Sequence, residues 1–200
     1  MNIRELDRRA MDVTAGIVAL ITPEQLDAPT PCAGWQVRDL LAHIIGQYHG
    51  FALAASGRPT GVEAFAPRPV TADPLARYQQ AAALVTEAFA EDGVLDRRFH
   101  LPEIRDGAAF PATAAIGFHL VDEVAHAWDL ARSIGVPVEF DQQVLEVALS
   151  VARQVPDDPG SRGEGQAFAP VHPTQDGMAT LDRIVALLGR RPDWTATPSP

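Results

Sequence analysis

The stretch FHLVDEVAHAWDLA at residues 118–131 constrains this chain most, because it is apolar enough for a protein interior yet carries two histidines, two aspartates and a glutamate. On a helical wheel, at about 100° per residue, most of its polar side chains fall within a sector of roughly 80°. This sector, the 119–133 seam, consists of His119, Asp122, His126, Asp129 and Ser133. Glu123 lies just beside it. The stretch therefore predicts an apolar helix with one narrow polar seam.

Two interpretations of the 119–133 seam are open. It could face water as the polar side of an amphipathic helix, with Asp122 and His126 in a weak i, i+4 contact. A solvent-facing side is usually wide, however, and this seam is narrow. Alternatively, Asp122 and His126 lie one above the other on one face, where a carboxylate and an imidazole can share a zinc ion. Two ligands rarely suffice, so a third would come from another helix.

The candidate third ligand is His43, in the segment RDLLAHIIGQ. It belongs to a second polar stripe, the 36–50 seam, which is formed by Gln36, Asp39, His43, Gln47 and Gly50. A lone histidine on such a stripe is more often solvated than metal-bound. Metal sites in helix bundles are nevertheless built from side chains on facing helices, so the presence of two seams favours a site.

Hydrophobic periodicity predicts the fold class. It places helices at 3–21, 36–56, 73–92, 112–134, 141–154 and 177–189. Long connections at 57–72 and 93–111 separate the middle helices, and the second of them has turns and room for a short hairpin. We predict an all-α four-helix bundle with a long crossover and a small C-terminal helical extension. A single domain is expected at 1–195, followed by a frayed tail at 196–200.

Composition narrows the function classes. The chain of 200 residues has a formal net charge of −10, which argues against nucleic acid and against an anionic membrane surface as partners. No apolar run reaches the roughly 18 residues that a membrane span needs, and the single cysteine, Cys32, allows no internal disulfide. We expect a cytoplasmic protein in which Cys32 is an incidental small residue. A di-iron site would need a second Glu-x-x-His element besides Glu123 to His126, and the long helices hold none.

Three segments together resemble a known family. TPCAGWQVRDLLAHIIG at 30–46, VDEVAHAWDLARSIG at 121–135 and LLGRRPDW at 187–194 are similar to motifs of the mycothiol-dependent maleylpyruvate isomerase-like metal-binding family, in its shorter branch without the C-terminal domain. The resemblance implies a DinB-like four-helix bundle that holds a divalent metal, usually zinc, with nickel as an alternative. The implied metal ligands are His43, Asp122 and His126.

The resemblance leaves some site residues open. Asp122 is an aspartate where the isomerase is expected to have glutamate, and the shorter arm could alter the position or the choice of the metal. Glu123 remains an alternative ligand, and His119 matches a position that is often histidine in relatives, where it would lie behind the ligands. Asp39 and Asp129 are candidates for orienting the ligand imidazoles, as outer carboxylates commonly do.

The function implied is that of a mycothiol-dependent transferase or isomerase. Such an enzyme would use a small-molecule thiol to transfer sulfur to, conjugate or isomerise an electrophilic small molecule. A metal-dependent hydrolase and a non-catalytic metal- or ligand-binding protein remain alternatives. The connections at 57–72 and 93–111 are expected to form the pocket wall, and the apolar content allows a homodimer.

Overall fold

The regular structure is almost entirely helical. The computed structural model describes residues 2–70, 73–104, 108–158, 160–163 and 168–196. Within these residues the helices are α1 (Ile3–Val18), α2 (Val37–Ala54), α3 (Pro74–Ala90), α4 (Ala112–Ile134), α5 (Gln142–Ala152) and α6 (Thr180–Leu187). Strands β1 (Arg98–His100) and β2 (Ala109–Pro111) pair antiparallel. The predicted helices and the hairpin are confirmed. Five of the helices are somewhat shorter than predicted, and α4 has the predicted bounds.

Local sequence sets several helix ends. The carboxylate of Asp73 accepts a hydrogen bond from the backbone N–H of Ala76 at 2.9 Å, and Pro74 occupies the first turn of α3, where no backbone N–H is needed. Asp141 caps α5 in the same way. Gly135, with φ of +72°, ends α4 in the left-handed conformation that glycine adopts without strain. The start of α3 and the end of α4 thus lie where the sequence predicted them.

Helices α1 to α4 form the bundle. α1 packs against α4 and α3, and α2 packs against α3 and α4. α5 packs on α4 and α1, and α6 packs on α5 and α4, so together they form the predicted C-terminal extension. No helix in the described part of the chain is long and apolar enough to cross a membrane. The single domain at 1–195 stays a prediction, and residues 197–200 of the predicted tail lie outside the described residues.

Two glycines let the connection after α2 pack directly on that helix. A Cβ atom on Gly46 would lie 2.5 Å from the backbone oxygen of Ala66. A Cβ atom on Gly50 would lie 2.3 Å from the ring of Phe65, which is buried. These approaches are closer than any side chain allows, so the glycines fix how the first long connection lies against α2.

His119 and Glu123 belong to a buried polar cluster that lies next to Asp122 but makes its side-chain hydrogen bonds to α1 and α2. Nδ1 of His119 lies 2.7 Å from Oδ1 of Asp7 on α1. Oε2 of Glu123 accepts hydrogen bonds from the hydroxyls of Thr14 and Tyr48, both at 2.8 Å. The interpretation of Glu123 as an alternative ligand is therefore wrong, and so is the place of His119 behind the ligands. His119 lies one helical turn before Asp122, but within the described residues its side chain bonds Asp7 of α1 and not a predicted ligand. Glu123 bonds side chains of α1 and α2.

The ion pair between His119 and Asp7 is sealed from water, with side-chain exposures of 1% and 2%. Burial alone would lower the pKa of His119. The charge of Asp7 and its hydrogen bond outweigh burial and raise that pKa to about 9. His119 is therefore a buried cation at neutral pH, and α1 and α4 are joined by a charged contact inside the bundle.

We expect Gly46→Ala to destabilise the fold by about 1–3 kcal/mol, because the new methyl group would overlap a backbone oxygen that cannot rotate away. Gly117, a buried glycine of α4, is the matched control, since a Cβ there would meet only Val151, at 3.5 Å. Gly117→Ala should stabilise the protein by up to about 1 kcal/mol, because alanine favours helix. Urea unfolding of both variants measures this. Equal stability of the two variants would contradict a requirement for glycine at the contact between Gly46 and Ala66.

The free energy of unfolding should fall as pH rises from about 6.5 to about 9. The pKa of His119 is about 9 in the folded chain and about 6.5 in an unfolded chain. The folded state therefore binds more protons in this window, and its stabilisation is complete only below about 6.5. At about 1.4 kcal/mol per pKa unit, the loss across the window is about 3 kcal/mol.

Asp7→Asn should reduce this slope, because burial then dominates the titration of His119, and the slope that remains comes from His126, whose pKa is also raised. Asp12→Asn on the same helix is the control, since Asp12 is exposed and forms its ion pair with Arg8 at the surface. Urea unfolding at pH 6, 7.5 and 9 for the three proteins tests the assignment. If Asp7→Asn and wild type show the same slope, the pair does not titrate as described.

Candidate metal centre

The two seams meet between α2 and α4. His43 from α2 and Asp122 and His126 from α4 each offer one ligand atom, and these three atoms lie within 4.8 Å of one another. The rings of His43 and His126 have centroids 5.1 Å apart and stand nearly perpendicular, at 79°. The three residues singled out as ligands are thus brought to one place by the packing of the two helices.

His126 lies between two carboxylates. Its Nε2 is 3.2 Å from Oδ1 of Asp122, and its Nδ1 is 3.0 Å from Oδ2 of Asp129. The Asp122 side chain is 34% exposed, whereas that of Asp129 is fully buried. The contact with Asp129 orients the ring and leaves Nε2 on the side of Asp122 and His43. The cluster therefore has a closed interior side and an open side next to Asp122.

Asp39 does not take part in this arrangement. Its carboxylate accepts a hydrogen bond from the backbone N–H of Gln36 at 3.0 Å, at the start of α2. Asp39 is exposed and lies one helical turn before His43. The expectation that Asp39 orients a ligand imidazole is wrong, because an aspartate in the first turn of a helix is recruited by the free backbone N–H groups there.

Cys32 lies at the site and is not an incidental residue. Its Sγ is 3.2 Å from Oδ2 of Asp129. Arg190 lies in the segment after α6. Its Nη2 donates to the same Oδ2 at 3.0 Å and lies 3.5 Å from the Cys32 sulfur. Sequence reasoning missed Arg190 because it lies 61 residues from Asp129. The only available signal was the GRRPDW segment, which periodicity does not connect to α4.

The electrostatics suit two of the three ligands for metal binding at neutral pH. Burial, and next the positive charge of His126, lower the pKa of His43 to about 4, so its imidazole is neutral. Burial acts to raise the pKa of Asp122, but the charge of His126 outweighs burial and holds that pKa well below its usual range. Burial acts to lower the pKa of His126, but Asp122 outweighs it and raises that pKa well above its usual value. His126 in the metal-free chain thus carries the proton that a metal would displace.

Loops before α2 and before α4 supply the rim of the site. The ring of Trp35, which is 36% exposed, has its centroid 5.1 Å from that of His43. Glu103 accepts a hydrogen bond at 2.9 Å from Gln47, which lies one helical turn after His43. Burial, and also the charge of Asp122, raise the pKa of Glu103. The expectation that the 57–72 and 93–111 connections form the pocket wall stays a prediction.

The donor set fits a divalent transition metal. Two imidazole nitrogens and one carboxylate oxygen suit zinc, and three protein ligands leave a position free for a substrate, as in reactive zinc sites. Metal-binding histidines commonly donate their other ring N–H to a carboxylate, and Asp129 is in position to accept that hydrogen bond from His126. A nickel ion would accept the same donors.

A second group of possible ligand atoms, from Cys32, His126 and Asp129, also lies within 4.8 Å. The guanidinium of Arg190 already contacts the Asp129 carboxylate and the Cys32 sulfur. A metal ion there would face this buried positive charge at close range. The group that contains His43 is therefore the better metal site.

Comparison with known proteins identifies the family. The family model for the mycothiol maleylpyruvate isomerase N-terminal domain matches residues 8–131. The uncharacterized protein Rv0738 of Mycobacterium tuberculosis is 32% identical over 189 residues, which cover 92% of this chain and 94% of that protein. The uncharacterized protein MT0763 from another strain of the species matches with the same figures.

A solved structure agrees in fold. The crystal structure of the mycothiol-dependent maleylpyruvate isomerase is 17% identical, with a TM-score of 0.66 over 96% of this chain and 89% of that chain. This likeness shows a shared fold, the DinB-like four-helix bundle that the sequence resemblance implied. From the matched family model and the relatives along nearly its whole length, the chain belongs to the mycothiol-dependent maleylpyruvate isomerase-like family.

Proposed function

We propose that this protein is a mycothiol-dependent metalloenzyme that acts on an electrophilic small molecule by sulfur transfer, conjugation or isomerisation. The observation that carries the proposal is the convergence of His43, Asp122 and His126, whose ligand atoms lie within 4.8 Å of one another beside an open face. Family membership supports the thiol, because the related crystal structure is that of a mycothiol-dependent isomerase.

The chain's own residues divide the work at this site. His43 offers a neutral imidazole, and Asp122 offers a carboxylate that is partly open to solvent. Asp129 holds His126 from the interior side, so that the ring cannot turn away. A divalent metal held by these residues would lower the pKa of a thiol that coordinates it and so favour the nucleophilic thiolate.

The rim would contact the parts of the thiol and of the electrophile that do not reach the metal. Trp35 presents an exposed ring beside His43, where it can pack against an apolar or sugar-like part of a ligand. Glu103 stands near the open side, and burial raises the pKa of its carboxyl group, which makes it a stronger base than an exposed glutamate. These features are consistent with a thiol and an electrophile meeting at the open side of the cluster.

Further details of the proposal follow from the family and the composition. We propose zinc as the metal, with nickel as the alternative, and a cytoplasmic location. A homodimer is compatible with the proposal. With a net charge of −10, neither nucleic acid nor an anionic membrane is proposed as a partner.

Metal-dependent hydrolysis is the second candidate function. The observation that favours it is Glu103 on the rim, because a carboxylate with a raised pKa near Asp122 could accept a proton from water if a metal were bound by the ligand set. Hydrolysis requires no thiol, whereas the first proposal does. A protein that binds metal but turns over no substrate would be the third, non-catalytic class.

Metal binding tests the ligand set directly. Protein purified without a nickel column should contain about one divalent metal ion per chain and should melt at a lower temperature after chelation. His43→Ala should lose the metal. His49→Ala is the control, because His49 lies on the same helix but lines a different groove, with Leu53 and Arg68. Metal analysis by mass spectrometry gives the readout. Metal-free wild type with an unchanged melting temperature after chelation would overturn all the metal-based proposals.

Thiol consumption tests the reaction class. Wild type should consume mycothiol in the presence of electrophiles such as maleylpyruvate. His126→Ala should be slower by more than the roughly 10–100-fold that loss of an outer-shell partner costs, because it removes a ligand itself. Assays of both proteins with and without mycothiol give the comparison. Equal rates of mycothiol consumption by wild type and His126→Ala would contradict the proposal. Turnover that needs no thiol would favour the hydrolase.

A further inference from the structure

Arg190 reaches the interior side of the candidate metal centre from the C-terminal segment. Gly189, with φ of +82°, turns the chain sharply after α6, and a Cβ there would lie 2.5 Å from the backbone oxygen of Ala169. The backbone N–H of Arg190 then bonds the carbonyl oxygen of Val185 at 2.8 Å. This tight turn directs the Arg190 side chain back toward α4, where it is only 11% exposed.

The guanidinium of Arg190 is fixed at three points. Its Nη1 donates to the backbone oxygen of Leu188 at 2.9 Å. Its Nη2 donates to Oδ2 of Asp129 at 3.0 Å, and its Nε donates to Oδ1 of Asp129 at 3.4 Å. Both carboxylate oxygens of Asp129 are thus engaged by one planar group, which restricts rotation of the carboxylate.

Asp129 transmits this restraint to His126. Its Oδ2 lies 3.0 Å from Nδ1 of His126, on the opposite side of the ring from Asp122. Among the described residues, a fully buried carboxylate that lost Arg190 would keep His126 and the thiol of Cys32 as its side-chain partners. It would then be free to turn, and the ring of His126 would lose its fixed orientation toward His43 and Asp122.

Another arginine separates this role from simple anchoring of the chain. Arg132 of α4 also binds the C-terminal segment, because its Nη2 donates to the backbone oxygen of Pro192 at 3.0 Å. Its guanidinium stacks on Trp128, with the central carbon 5.3 Å from the ring centroid. Arg132 and Arg190 both hold the segment against α4, but of the two only Arg190 contacts the carboxylate behind His126.

We infer that Arg190 is a positioning residue of the metal site, which acts through Asp129 to hold His126 in the orientation that binds metal. The inference rests on the proposed ligand set of His43, Asp122 and His126. It adds that this site is completed by the C-terminal segment, which lies beyond the matched family domain at 8–131.

The test compares Arg190→Gln and Arg190→Lys with Arg132→Gln. Zinc affinity is measured by competition with a chromophoric chelator, cobalt is used as a spectroscopic probe, and the melting temperature of each metal-free protein is recorded. Arg190→Gln should weaken zinc binding by about 10–100-fold, the usual effect of removing an outer-shell partner. It should also change the visible spectrum of the cobalt-loaded protein. Arg190→Lys should recover part of the affinity, because a lysine keeps one charged contact with Asp129 but cannot bond both carboxylate oxygens as the planar guanidinium does.

Arg132→Gln should leave the zinc affinity and the cobalt spectrum as in wild type, even if it lowers the melting temperature. Wild-type affinity and spectrum in Arg190→Gln would overturn the inference. Equal loss of affinity in Arg190→Gln and Arg132→Gln would also overturn it, since the effect would then be anchoring of the segment. If Arg190→Gln does not fold, Arg190→Lys with wild-type affinity overturns it, and weakened affinity at an unchanged melting temperature supports it. A wild type that binds neither zinc nor cobalt defeats the proposed function itself and not merely the role of Arg190.

Discussion

The buried carboxylate of Asp129 is the interaction on which the candidate site depends. An isolated charge at this depth would be costly, so the fold surrounds it with partners. Arg190 supplies a compensating charge, His126 shares its Nδ1 proton, and the thiol of Cys32 approaches the same oxygen. These partners come from three separate parts of the chain. Satisfying one carboxylate therefore also fixes the loop before α2, the middle of α4 and the segment after α6.

Helix α4 carries two polar clusters with opposite relations to solvent. Around His126 the cluster opens toward water through Asp122. Around His119 the charged pair with Asp7 is sealed, and Glu123 is satisfied by buried hydroxyls. An open cluster can admit a ligand, whereas a sealed one can only join helices and restrict how they pack. The same helix thus combines a candidate reactive site with an internal charged contact. Asp7 of α1 is the partner that makes the contact at His119 a sealed ion pair.

Much of the fold followed from periodicity and from caps. Asp73, Pro74 and Gly135 mark helix ends through backbone chemistry that acts over a few residues, and such local effects are readable in sequence. The pairing of His43 with Asp122 and His126 was also predicted, because each lies on a narrow polar stripe of an otherwise apolar helix. The roles of Asp39, His119, Glu123 and Cys32 were misread. A wheel gives the direction of a side chain but not the neighbour that it meets.

The sequence by itself determined the helices, the two polar seams and the resemblance to the family, since these depend on short-range spacing. Only the tertiary structure decided which seam residues share a cluster. His119 and His126 point in similar directions, but two helical turns separate them. The packing of α1 gives His119 its partner Asp7, whereas His126 lies next to His43 of α2. Arg190 shows the same limit most clearly, because its contact with Asp129 spans 61 residues and depends on a turn at Gly189 that returns the chain to α4. Contacts of this range are set by packing, which no local pattern encodes.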